Sequence, residues 1–141
     1  MKVKRDKVDD VFSKVIREAA DWTCDCCGKV IPEDRRMALH ASHYMSRRHA
    51  ATRFDPDNVY AHCFSCHQKL GENPSEFYRW MVDRVGEEEE ERIRSKALSV
   101  FKRSKVDKEL LYKHFKSELA RIIEARKNGA AGKLKVEGFG E

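Results

Sequence analysis

Four cysteines stand in two matching pairs, Cys24-x-x-Cys27 and Cys63-x-x-Cys66, and His67 follows the second pair at once. A two-residue gap lets each pair turn tightly and offer both sulfurs to one ion. Four thiolates in tetrahedral geometry form a closed structural zinc site, and Gly28 suits the turn after the first pair. Such an ion stabilises a small region whose own core is thin. Four buried free thiols account poorly for two pairs of equal spacing. Cys26 is left over. It can replace Cys24 in a Cys-x-Cys arrangement, but adjacent Cys26 and Cys27 chelate one ion awkwardly, so Cys26 reads as a spare thiol. An odd total of five cysteines fits four ligands plus one better than a disulfide framework.

Zinc explains neither Asn58 nor the histidines around it. The segment "LHASHYM … FDPDNVYAHCFSCHQK" sets His43 on a first short strand, Asn58 before a second, and His67 after the zinc pair. This ordered set resembles the His-Asn-His (HNH, or ββα-metal) endonucleases, whose zinc-bearing members share the spacing Asn-x4-Cys-x2-Cys-His. The resemblance implies phosphodiester hydrolysis, which needs an activated water, a cation on the phosphate oxygens and help for the leaving oxygen. A neutral histidine accepts the water's proton, and a divalent cation serves the other two needs. It assigns His43 as general base and His67 as ligand of a catalytic Mg2+ or Mn2+. It has Asn58 anchor the loop and orient His43 through a hydrogen bond. Members commonly carry Asp or His just before the base as a second metal ligand. Here Ser42, a poor ligand, stands there, and His40, on the same strand face, is the substitute. Water fills the place equally well if the ion is magnesium.

The likeness narrows further. "VFSKVIREAADWTCDCCGK" and "ASHYMSRRHAATRFDPDNVYAHCFSCHQKLGENPSEFYRWMVDRVGEE" resemble the NinG (Rap) family of lambdoid phages, with residues 11 to about 126 covered. The His43-Tyr44 doublet, the "RFDPDN" approach to Asn58 and the Gly71-Glu72-Asn73 turn are its most specific parts. What this implies is a structure-specific nuclease of the bacterial host cytoplasm, acting on branched recombination intermediates such as Holliday junctions and D-loops. Arg47, Arg48 and Arg53 fall in the loop between the strands, beside the DNA on this reading, where phosphate contacts are expected; the plainer reading is solvated charge. A general HNH nicking or restriction-type enzyme is the alternative within the nucleases. A zinc-stabilised DNA-binding module without catalysis is the alternative outside them.

The rest of the chain must position these groups. Its 141 residues, 38% of them charged, fit one domain with an appended helical part, and a net charge of +5 permits a polyanionic partner without demonstrating one. No apolar run approaches the ~20 residues that span a bilayer, and "MKVKRDKVDD" holds no secretory signal. A reducing cytoplasm, where thiols bind metals, is therefore expected. The fold class is α+β: a small zinc-stabilised ββα-metal core with an N-terminal helix and a C-terminal helical extension. Val8, Val11, Phe12, Val15, Ile16 and Ala19 predict a helix over 7–20, capped by Asp6 with Asp9 in its first turn. "MALHASHYM" and "NVYAH" predict two short strands. Asn73-Pro74-Ser75-Glu76 predicts a helix start with Asn73 as cap, and Gly86 its end. A further helix is expected to start inside Glu87 to Glu91, with the stripe Ile93, Ala97, Val100 and Phe101. The last follows Asp107, with Leu111, Phe115, Leu119 and Ile122 on its face. Residues 1–73 then hold the nuclease core. Residues 74–127 pack on it or, through stripes such as Phe77/Trp80/Met81 and Leu111/Phe115/Leu119, against a second subunit of a homodimer. The glycine-rich residues 128–141 form a mobile tail.

Overall fold

Asp6 opens the first helix. Its carboxylate accepts from the Val8 and Asp9 N–H groups while the Asp9 carboxylate accepts from the Asp6 N–H, a reciprocal capping box. In this computed structural model, which describes residues 3–140, the helix so started is α1 (Lys7–Ala19). Its apolar side chains at helical spacing are buried, as the sequence predicts.

The sheet is a hairpin of β1 (Leu39–His43) and β2 (Val59–Cys63), antiparallel, in register from Leu39 opposite Cys63 to His43 opposite Val59. Side chains alternate between its faces. Leu39, Val59 and Ala61 join a core with Phe12 of α1, whereas Tyr60 joins a second cluster on the other side. Both faces are covered, so all five β2 residues are buried. Four helices follow: α2 (Phe64–Glu72), α3 (Pro74–Val85), α4 (Glu87–Ala97) and α5 (Lys105–Lys127). Leu70, Phe77, Met81 and Ile93 from α2, α3 and α4 close over Tyr60. Helix α5 returns to α1, with Leu111, Phe115 and Ile122 in the first core and the Phe12 and Phe115 rings 4.8 Å apart, edge to face.

Several expectations are corrected. Asn73 stands at the N-cap position of α3 as expected, but its side chain makes no cap bond there; its amide donates to the Lys69 carbonyl at 2.7 Å, at the end of α2. Helix α4 ends at Ala97, so Val100 and Phe101 lie beyond it, exposed. The last helix starts before Asp107: Ser104 accepts from the Asp107 N–H at 3.0 Å, and Asp107 is the third helical residue answering that cap. A serine three residues ahead of an aspartate satisfies two end groups where Asp107 alone satisfies one. Of the two stripes named for a core or a second subunit, Phe77, Met81, Leu111 and Phe115 are buried within the chain, while Trp80 and Leu119 are partly buried. Helix α5, within residues 74–127, shares its core with α1.

The tail is the largest correction. The Leu134 N–H donates to the Ala19 carbonyl at 2.8 Å, and Leu134 and Val136 pack on the first core. Arg126 reaches the Glu18 and Ala130 carbonyls, and the Glu118 carboxylate accepts from the Glu137 N–H. Glycine content suggested mobility, but Leu134-Lys135-Val136 carries the alternation of a segment with one buried side. Met1, Lys2 and Glu141 lie outside the described residues. Among those described, no helix is long and apolar enough to cross a membrane.

Candidate functional site

The first thiol pair sits on a turn after α1, where the Gly28 N–H donates to the Cys24 carbonyl at 3.0 Å and Gly28 adopts φ 77°. Only glycine takes that conformation without steric cost. Cys63 ends β2 and Cys66 lies in the first turn of α2. The four sulfurs of Cys24, Cys27, Cys63 and Cys66 lie within 4.8 Å of one another. The Cys27 and Cys63 sulfurs are 3.8 Å apart. That matches the edge of a tetrahedron with Zn–S bonds of about 2.3 Å and far exceeds the ~2.05 Å of a disulfide. Burial and the surrounding thiols push the Cys66 thiol up, so four thiolates this close require a cation. The donor set and spacing fit zinc. Cys26 is exposed and outside the group.

Asp25 stitches this knuckle to the rest of the fold. Its N–H donates to the Ala61 carbonyl at 2.7 Å, and its carboxylate accepts from the Ala61 N–H at 2.9 Å. Lys133 of the tail and Arg84 of α3 pair with the same carboxylate at 2.9 and 3.3 Å.

His43 closes β1. Its Nε2 lies 2.8 Å from the Arg53 carbonyl oxygen. A carbonyl only accepts, so Nε2 carries the proton and Nδ1 of the neutral ring keeps a lone pair. Burial pushes the pKa of the ring down to about 4, so it is neutral at pH 7. Arg53 is itself fixed: its guanidinium pairs with Asp9, which is 3% exposed, and donates to the Lys4 carbonyl at 3.0 Å. The start of α1 therefore sets the loop that sets the histidine.

Asn58 is fully buried. Its Oδ1 accepts from the Met45 N–H at 2.8 Å, and its Nδ2 donates to the Met45 and Thr52 carbonyls at 2.9 and 3.2 Å. It pins both ends of the loop after β1, as an anchor should. It does not orient the His43 ring, because the loop backbone already occupies its amide; the Arg53 carbonyl does that. Tyr44 is packed against Phe77 and donates to the buried Glu90 at 2.6 Å.

His67, half-buried on α2, stacks on His40 with centroids 5.1 Å apart and planes 9° from parallel. Its buried Nδ1 has no partner. Lone pairs of imidazole lie in the ring plane, so stacked rings do not converge on one ion as they stand, and one must turn. Ser42 is buried beside Tyr60 across the sheet and offers nothing here. Among the described residues, the four cysteines are the only cluster of three or more metal donors. A cation at the histidines therefore has at most two nitrogens of this chain and takes its other ligands from water and substrate, as a hydrated magnesium does.

His40, His43 and His67 line a cleft of about 510 Å3 whose opposite wall is α1, with Asp9, Phe12 and Arg17. Arg47 lines it too, holding Asp9 loosely at 3.4 Å, and Arg48 is exposed on the loop. Arg53 departs from expectation: 15% exposed, its guanidinium serves Asp9 rather than the surface. Sequence reasoning misses Asp9 as the anchor of the loop, and Arg5 and Arg17 as cleft residues. Their distance from the motif in the chain hides them. His62, given no role, is fully buried among Tyr60, Phe77 and Trp80 with neither ring nitrogen partnered.

The family described as bacteriophage lambda NinG protein matches residues 2–127. No curated protein and no solved structure matches the chain.

Proposed function

The chain belongs to the bacteriophage lambda NinG family, and on that premise we propose that it is a metal-dependent DNA endonuclease of the HNH type, acting on branched recombination intermediates such as Holliday junctions and D-loops. The observation that carries the reading is His43: a neutral imidazole, its Nε2–H engaged by the Arg53 carbonyl, lining a cleft beside His67. Its Nδ1 takes a proton from water as the water oxygen bonds to phosphorus, and the bond to the leaving 3′-oxygen breaks. His67, with His40 one ring rotation away, would hold a divalent cation, Mg2+ or Mn2+, which would supply positive charge to the phosphate and the leaving oxygen. Structural zinc on Cys24, Cys27, Cys63 and Cys66 keeps β2 and α2 in place and takes no part in the reaction. The preference for branches rests on the family.

The test is purified protein with magnesium or manganese on labelled four-way junction, flap, duplex and single-stranded DNA. Metal-dependent cutting, fastest on the junction, is the expected result. Equal rates on junction and linear duplex leave a general nicking enzyme, and no cutting of any substrate overturns the proposal. One observation favours a second reading, a zinc-stabilised DNA-binding module: the stacked His40 and His67 rings, which do not converge on an ion as they stand. Binding without metal-dependent nicking is its signature.

A further inference from the structure

We propose that Arg17 of α1 is a phosphate clamp, holding the DNA backbone on the wall of the cleft that faces His43 and His67. It rests on the nuclease reading for where the reacting phosphate lies, but the clamp is tested by binding alone.

Of the charged residues lining the cleft, apart from its histidines, three are arginines, Arg5, Arg17 and Arg47, and one is a carboxylate, Asp9. The arginines are not equivalent. Arg5 pairs with Asp10 at 2.7 Å, and Arg47 with Asp9 at 3.4 Å. Arg17 pairs with no carboxylate among the described residues. Its Nε donates to the Ser13 carbonyl at 3.2 Å, and its other four N–H donors have no protein partner there. Burial, together with the nearby charge of Arg5, pushes its pKa down. Glu18 acts on it only at a distance and forms no ion pair with it, so Arg17 is the cleft arginine whose fork is left to take an anion.

The side chain is also held in place. The Arg17 guanidinium lies over the Trp22 ring at 5.2 Å, and Arg36 lies over the same ring at 4.0 Å. With Nε bonded and one flank against an indole, the fork loses little further freedom when a ligand arrives. Guanidinium matches a phosphate with two parallel hydrogen bonds, which a point charge does not. Backbone phosphates continue on both sides of any scissile one, so a substrate seated at His43 brings neighbours to the opposite wall. Helix α1 thus carries DNA as well as fixing Arg53 through Asp9.

The experiment measures affinity for labelled duplex and four-way junction across a salt series, without added divalent cation so that nothing is cut. Arg79, exposed on α3 and outside the cleft, gives the control Arg79→Ala, which removes the same net charge. Arg17→Ala is expected to weaken binding about tenfold and lower the slope of log K against log salt by about one, whereas Arg79→Ala changes neither. Arg17→Lys should keep the slope and lose only part of the affinity. Should Arg17→Ala lose its cooperative melting, Arg17→Gln, which keeps the stem and the Ser13 bond, is read the same way. Arg17→Ala indistinguishable from Arg79→Ala in affinity and slope overturns the clamp, and if the parent still cuts with metal the nuclease reading survives it. The reverse outcome, a lowered slope in a protein that never cuts, keeps the clamp and removes the nuclease.

Discussion

The thiol cluster and the cleft histidines are both built from metal-type donors, and α2 carries a member of each, Cys66 and His67, yet their geometry is opposite. The four sulfurs converge within 4.8 Å. The histidines diverge: His40 and His67 stack face to face, and His43 is turned to a backbone carbonyl. Convergent soft donors bind an ion in the folded chain and lose it on unfolding, so that binding energy becomes folding energy. Divergent donors keep lone pairs for whatever enters. The first arrangement suits a part that must not move, and the second suits one that must accept a substrate.

Removing a ligand from the closed site should therefore have the largest effect on the protein. Cys63→Ser is expected to release zinc and abolish the cooperative melting transition. A stoichiometric zinc signal with an unchanged melt contradicts the closed site. On the open side, His43→Ala should leave zinc content and melting intact while cleavage falls by about 10²-fold or more, a defect that extra magnesium does not repair. His67→Ala should be partly rescued by extra metal. The opposite rescue pattern exchanges the two roles. Because burial holds His43 near a pKa of about 4, its limb of the rate–pH profile should lie there and not near 6.5.

Asp9 connects the two comparisons, since it is structural itself but holds the loop that orients His43. Asp9→Asn leaves Arg53 without its charge partner and should cost about 3 kcal/mol, read as a lowered denaturant midpoint, with cleavage falling as His43 loosens. A variant with wild-type stability removes Asp9 from that role. His62 sharpens the comparison, being an imidazole that serves neither site. With both ring nitrogens buried and unpartnered, His62→Leu should gain about 1 kcal/mol. Burial lowers the folded pKa of His62 from 6.5 to about 4. The unfolded chain then binds the extra proton more tightly, and native His62 costs more as pH falls from about 6.5 to about 4. The gain should accordingly be larger at pH 5 than at pH 7.5, and equal gains refute the cause. Cys26→Ser should do least, with zinc and activity retained; zinc loss matching Cys24→Ser exposes a wrong ligand set.

Legibility followed the range of each interaction. The Asp6 cap, the spacing of the cysteine pairs and the turn at Gly86 lie within a few residues and are read directly, whereas the answering bond from Asp9 back to Asp6 is seen only in the fold. The start of α5 is local too: Ser104 and Asp107 belong to one cap, and Asp107 alone predicts a start too late in the chain. What stayed hidden crosses the chain or uses the backbone. No pattern of side chains announces that the Arg53 carbonyl holds His43, or that Asp9 takes the Arg53 guanidinium away from the surface. Arg17 lies far from the motif residues and joins them only because α1 packs beside β1. In the tail the glycines favour mobility, but the alternation at Leu134 and Val136, which places both on the first core, outweighs them.

Asp25 has a consequence for how the molecule fails. A two-stranded sheet has two free edges, and unpaired backbone groups on an edge are a template for another chain. Asp25 occupies both groups of Ala61 at the middle of the β2 edge, one with its own N–H and one with its carboxylate. Residues 24–27 are thus an edge guard as well as a metal loop, pinned from outside by Lys133 and Arg84. Oxidised thiols that let go of zinc free that loop and uncover the edge, so damage at the knuckle should be followed by strand-mediated aggregation of the released hairpins.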